Sequence, residues 1–259
     1  MAGITQPMRN NRSRVRTARG VSIPAPTGGW NAQSPLPLMP PKDAVILDNW
    51  IPRAGYVELR KGSAEHAVGS NVPVQSILVW RGSPTGADEV FAAGEDPLVP
   101  GYGLFDVTTN GSTFTSAVWD LTSLVVQSVN FANDAGAFLI CVTGEETPFY
   151  YDGAAWDTLA ITGSAGSITL DPDTLVDLMA HKERLFFVED KTLRVWYLDV
   201  NAIQGACGLL DLGGVFTKGG AIRALGTWSL DGGQGQDDYA VFVTNQGEAA
   251  IYQGTDPSD

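Results

Sequence analysis

The sequence predicts an all-β fold: a β-propeller with four recognisable blade repeats, the last incomplete, behind an extended N-terminal arm. Three observations predict it. From Val74 onward the chain repeats itself at intervals of roughly 45 to 52 residues. Each repeat holds three or four short runs of β-branched and aromatic residues. The 30 glycines and 15 prolines supply turns between them. A period of this length with four strands per unit is the signature of a propeller blade. A β-sandwich with coincidental spacing is the competing architecture. At 259 residues the chain is long enough to bury a substantial core.

Residues 1–22 read as a basic, disordered arm. Arg9, Arg12, Arg14, Arg16 and Arg19 lie in it with no acid among the first twenty residues. Such an arm could touch phosphate or an acidic neighbour, or remain solvated and bind nothing. Residues 23–62 are rich in Pro and Gly, yet carry Trp30, Leu36, Leu38, Met39, Leu47 and Trp50. A linker has little use for two tryptophans, so this segment is expected to lie extended over a surface of its own domain or of a neighbour, with these side chains as the expected assembly interface. "PKDAVILDNW" is compatible with one short helix. "GYVELRKG", Gly55 to Gly62, alternates apolar and polar residues and reads as a strand.

The blades are expected at about 74–119, 125–160, 175–215 and 221–259, within a domain of residues 63–259. Their starts are "VQSILVWR", "VQSVNFAND", "LVDLMAHKERL" and "AIRALGTWSLD". "AFLICVTGEETPFYYD" (137–152) aligns without gaps on "RLFFVEDKTLRVWYLD" (184–199), and "YAVFVTNQGEAAIYQG" (239–254) fits the same template. Tyr150, Tyr197 and Tyr252 coincide. Continuous apolar runs such as "FLICV" and "LFFV" suit strands covered on both faces by stacked blades. The fourth block ends after its third strand. Either "GYVELRKG" completes it, or the chain is the front part of a longer protein. Asn110-Gly111 and Asp152-Gly153 read as two-residue hairpin turns closing third strands, with Phe114 and Trp156 opening the fourth. Their spacing to the aromatic also resembles the Asp-boxes of glycosidases. The third block lacks this motif, so its outer strand is expected to be displaced.

Charge and chemistry narrow the function. Net charge is -13, and without the first twenty residues it is -18. So acidic a body repels nucleic acid instead of gripping it. Cys141, in "AFLICV", reads as a small buried hydrophobe, and two cysteines make no disulfide framework. No apolar run is long enough for a membrane helix, and no export signal follows the basic N-terminus. The only histidines are His66 and His181. No zinc-ligand spacing, phosphate loop or nucleophile elbow is present. "DPDTLVD" and "DGGQGQDD" are acid-rich but lack calcium-loop spacing. No catalytic residue, cofactor or metal ligand is therefore assigned, and the chain reads as non-enzymatic. Trp80, Trp119, Trp156, Trp196 and Trp228 fall at different places within the blocks, which argues against a sugar site repeated blade by blade.

The N-terminal segment carries a more specific pattern: Gly28, Gly29 and Asn31; then Pro41, Asp43, Ala44, Leu47, Asp48, Asn49 and Pro52; then Gly55, Tyr56, Val57, Arg60 and Gly62. It resembles the start of β-propeller structural proteins of tailed bacteriophages, and the last block is similar to theirs. Within that group it resembles the tail nozzle, or tail tubular (hub) proteins, of short-tailed phages. The resemblance covers most of residues 28–259 and contains no catalytic motif. It implies a homo-oligomeric ring, commonly a hexamer, in the virion tail, below the portal and adaptor proteins. The ring would touch other tail proteins and pass the genome without binding it specifically. Assembly would take place in the host cytoplasm, with no membrane span. An acidic lumen would suit that conduit, because holding DNA requires replacing its counterions with protein cations. The resemblance also implies a chain longer than this one. The alternative function is a carbohydrate-binding or glycan-cleaving β-propeller, such as a receptor-binding tail protein.

Overall fold

The computed structural model describes residues 22–82, 88–95, 100–231, 236–254 and 257. The basic arm, apart from Ser22, lies outside them, as do parts of the "DPLVPGY" insertion and of "DGGQGQDD". The chain is all-β. Two short 3-10 turns, Leu36–Leu38 and Pro172–Thr174, are the only helical elements among the described residues. It divides into two units, Met1–Ala64 and Glu65–Asp259.

The first unit holds four short strands. β1 (Gly29–Trp30) pairs in parallel with β2 (Asp43–Ala44), and β3 (Trp50–Arg53) forms a hairpin with β4 (Tyr56–Leu59). The helix expected in "PKDAVILDNW" does not form. Pro40 and Pro41 precede it, Val45 and Ile46 are β-branched, and Asn49 adopts φ 62°. The segment instead gives β2, a bend and the turn into β3. "GYVELRKG" does supply a strand, but β4 pairs with β3 and is not the missing fourth strand of the last block.

The second unit contains four sheets in series, each built mainly from strands consecutive in the chain. β5 (Ala67–Val68) comes first; β6 (Ile77–Trp80), β7 (Glu89–Glu95) and β8 (Tyr102–Asp106) then form a meander. β9 (Ser112–Thr113) leaves that sheet to pair with β5, and β10 (Trp119–Leu121) returns as its fourth strand, giving the order β10-β8-β7-β6. The second sheet runs β11 (Gln127–Asn133), β12 (Gly136–Val142), β13 (Phe149–Tyr151) and β14 (Trp156–Thr158). β15 (Ile161–Ala165) and β16 (Ile168–Thr169) precede the third meander of β17 (Leu175–His181), β18 (Arg184–Glu189), β19 (Arg194–Tyr197) and β20 (Gly205–Asp211). β15 then adds to β20 in parallel, giving six strands in the order β16-β15-β20-β19-β18-β17. The fourth sheet has three strands: β21 (Ile222–Asp231), β22 (Gln236–Thr244) and β23 (Ala249–Tyr252). Each of the four blocks holds a sheet, and the third also takes in β15 and β16 from before its expected start at 175. Its strand β20 pairs with β19 after the connection of residues 199–204.

Consecutive sheets pack through buried apolar side chains. Leu78, Phe91, Ala93 and Leu104 of the first sheet meet Leu139, Cys141, Phe149 and Tyr151 of the second. Phe138, Ile140 and Val142 meet Leu185, Phe187 and Trp196 of the third. Met179, Phe186, Val188 and Val195 meet Ala240 and Phe242 of the fourth. Every residue of β18 is buried, because its two faces belong to two different cores. Among the described residues no core joins the fourth sheet to the first. The outer face of the first is partly covered by Phe114 from the β9 segment.

Two turns differ from expectation. Tyr151 pairs with Trp156, so the second sheet's last hairpin has a four-residue loop, not a two-residue one. Asp152 is not left-handed, and its carboxylate accepts from Ala154 N and Ala155 N at 2.8 Å each. Only Gly153 takes positive φ, at 94°. Asn110-Gly111 does not close the first sheet at all: it leads into β9, which pairs with β5, and Phe114 is buried against Phe105. At Asp152 a short polar side chain that bonds its own loop competes with the tight hairpin. The consecutive left-handed pair is Lys182-Glu183, with φ 47° and 61°, between β17 and β18.

Candidate functional site

The residues expected at an assembly surface gather in the first unit. Asn31 organises it. Its Oδ1 accepts from Gln33 N and Ser34 N at 3.0 and 2.9 Å, and its Nδ2 donates to Asp43 Oδ2 at 2.7 Å. Gly28 N donates to Lys42 O at 2.8 Å, and a Cβ on Gly28 would lie 2.0 Å from the Asp43 carboxylate. Gly28, Asn31 and Asp43 thus form a clasp between two extended segments.

That clasp holds large apolar side chains outward. Trp30 is 69% exposed and donates its indole N–H to Val45 O at 3.0 Å. Leu36 and Leu38 ride on the 3-10 turn at 72% and 77% exposure. Trp50 is exposed, whereas Met39 and Leu47 are half-buried. Trp30, Val45, Ile46, Leu47 and Asp48 line a hollow of about 330 Å³. Ile46, Tyr56 and Leu59 are also exposed.

Two further hollows lie among the described residues of the second unit. One of about 440 Å³ sits at the β11–β12 hairpin beside Arg81. Its two asparagines are engaged: Asn130 bonds Val79 O and Arg81 N, and Asn133 bonds Asn201 O, Ala135 N and Gly136 N. The other, of about 370 Å³, opens between the first and second sheets, where Glu89, Phe91, Asp106, Tyr151 and Trp156 meet. The Tyr151 hydroxyl donates to Glu89 Oε2 at 2.7 Å. Burial, this hydrogen bond and the charges of Glu89, Asp106 and Asp152 push that hydroxyl well above the usual phenol range.

Several other chemistry-bearing groups of the second unit are buried. His181 is buried, and burial lowers its pKa, helped by Lys182 and opposed by Asp238. Glu189 is buried with one oxygen taken by Trp196 Nε1 at 2.8 Å and the other by Arg194. Cys141 and Cys207 are free, buried thiols whose pKa values burial raises, that of Cys207 to about 12. Among the described residues no three His, Cys, Asp or Glu side chains converge as a metal cage, and no helix is long and apolar enough to cross a membrane. No protein-family model, curated protein or solved structure matches the chain.

Proposed function

We propose that this protein is a structural subunit of a virion tail, a component of a ring-shaped nozzle or hub below the portal and adaptor that conducts the genome during ejection. The observation that carries the reading is the first unit: an ordered, hydrogen-bonded clasp that displays Trp30, Leu36, Leu38 and Trp50 to solvent. Contiguous apolar surface on a built scaffold marks a place where another protein sits. The serial meander sheets support the finer reading that they are blades of a β-propeller. In this reading the exposed Trp228, Val243 and Ile251 of the fourth sheet face a further blade. The acidic body supports a conduit that does not retain DNA.

Electron microscopy of the purified protein tests the reading directly, with sixfold rings as the expected particles. Deleting residues 23–50 should leave the second unit folded but abolish the rings. Rings formed by the deletion variant would remove the first unit from assembly. Acids facing outward and a basic channel wall in such a ring would remove the conduit argument.

A further inference from the structure

We propose that the cleft between the first two sheets of the second unit is a binding site for an organic cation, an alkylammonium or alkylguanidinium group. Its position follows from the register. Phe91 faces Asp106 across the β7–β8 ladder, and Glu89 lies two residues before Phe91, so all three side chains share one face of the first sheet. Tyr151 and Trp156, paired across the β13–β14 hairpin, close the cleft from the second sheet. Phe91 and Tyr151 are buried and form the floor, and Trp156 packs edge-on to Phe91 with centroids 5.0 Å apart.

The hydrogen-bond inventory selects the ligand. Donors at the wall are already committed: Tyr151 Oη to Glu89, Ala154 N and Ala155 N to Asp152, Val90 N to Thr108, and Val118 N to Leu104. The indole N–H of Trp156 is the exception: it is buried and has no hydrogen-bond partner among the described residues. Acceptors, in contrast, are in surplus. Glu89 uses one carboxylate oxygen for Tyr151, and Asp106 uses one for Thr108 N at 2.9 Å; the second oxygen of each has no partner among the described residues. Among the described residues no lysine or arginine lines the cleft.

An acceptor-only rim above aromatic rings matches a ligand that has only donors and an apolar stem. A neutral sugar needs donors as well as acceptors, and a phosphate or carboxylate meets two like charges. The Tyr151 hydroxyl is raised first by burial, then by its bond to Glu89, and last by the charges of Glu89, Asp106 and Asp152 around it. The site lies within the second unit and is independent of the assembly surface of the first.

The cation could be a free polyamine or a Lys or Arg side chain of a partner polypeptide. Titration of the full chain with putrescine, agmatine and a Gly-Arg-Gly peptide, followed by tryptophan fluorescence and NMR, separates these sources. Saturable binding of the small diamines equal to that of the peptide assigns a free polyamine. A peptide bound at least about tenfold tighter assigns a partner side chain. Glu89→Gln and Asp106→Asn, checked for folding by near-ultraviolet circular dichroism, should each weaken binding about fivefold, and added salt should weaken it further. No saturable change up to about 10 mM of any of the three cations would overturn the site. So would unchanged affinity in the folded double variant, or binding of glucose in preference to the cations.

Discussion

Gly153 and Gly111 sit in loops of similar sequence yet face different surroundings. Both adopt positive φ, at 94° and 89°. A Cβ on Gly153 would lie 2.6 Å from the Trp80 ring, whereas one on Gly111 would meet open space. Gly111→Ala should therefore cost only the left-handed penalty, about 1–2 kcal/mol, and Gly153→Ala a further 1–2 kcal/mol or so for the displaced indole. Denaturant midpoints of the two variants check the difference. The sequence marked both positions as turns, but not their type, because the ring that crowds Gly153 lies more than seventy residues away in the chain. His181 gives a pH prediction. Its folded pKa lies below its ordinary 6.5, so the unfolded chain takes up the proton first. Stability should fall as pH drops below 6.5 and level off once the folded value is passed. His181→Gln should flatten that part of the profile, measured as denaturant midpoint against pH. The lowered carboxylates, Asp152 and Glu248, lose their contributions at lower pH, below their ordinary 3.8 and 4.5.

At the scale of elements, the seam between the first two sheets rests partly on side chains that imitate backbone. Ser76 Oγ donates to Leu124 O at 2.8 Å and accepts from Val126 N at 2.9 Å. Asn130 bridges β11 to Val79 O and Arg81 N in the same way. Ser76→Ala would strand two buried backbone groups and should cost about 2–3 kcal/mol, while Asn130→Ala, nearer solvent, should cost about 1 kcal/mol. Thermal or chemical melting of both variants measures it. The meanders were legible in the sequence because β12 and β18 are covered on both faces and so read as unbroken apolar runs. The partner of β9 was not, since two-residue pairings carry no periodicity. The expected helix failed for a similar reason: its apolar residues serve display on a clasp, not one buried helical face.

For the whole molecule, three cores join four sheets in chain order and leave both outer faces unlike a solvated sheet surface. Ile77 and Val79 are exposed on the first sheet, and Trp228, Val243 and Ile251 on the fourth. Trp228→Ser combined with Ile251→Ser should leave melting within about 1 kcal/mol of the parent, because neither residue is buried. The same pair should reduce concentration-dependent self-association in sedimentation velocity if those faces take part in assembly. The order of the sheets could be read from repeat spacing alone. The exposed ends could not, because a strand that awaits a partner has the same alternation as one that has found it.

The serial arrangement also has a mechanical meaning. Each meander is nearly contiguous in sequence, so a pull on the chain ends loads the sheets one after another and not in parallel. A released meander of about 45 residues would lengthen the tether by roughly 160 Å at most. Force spectroscopy on the second unit should thus record a ladder of similar steps instead of one rupture. The largest step should belong to the third sheet, because β15 ties the connection before that meander to its outer strand.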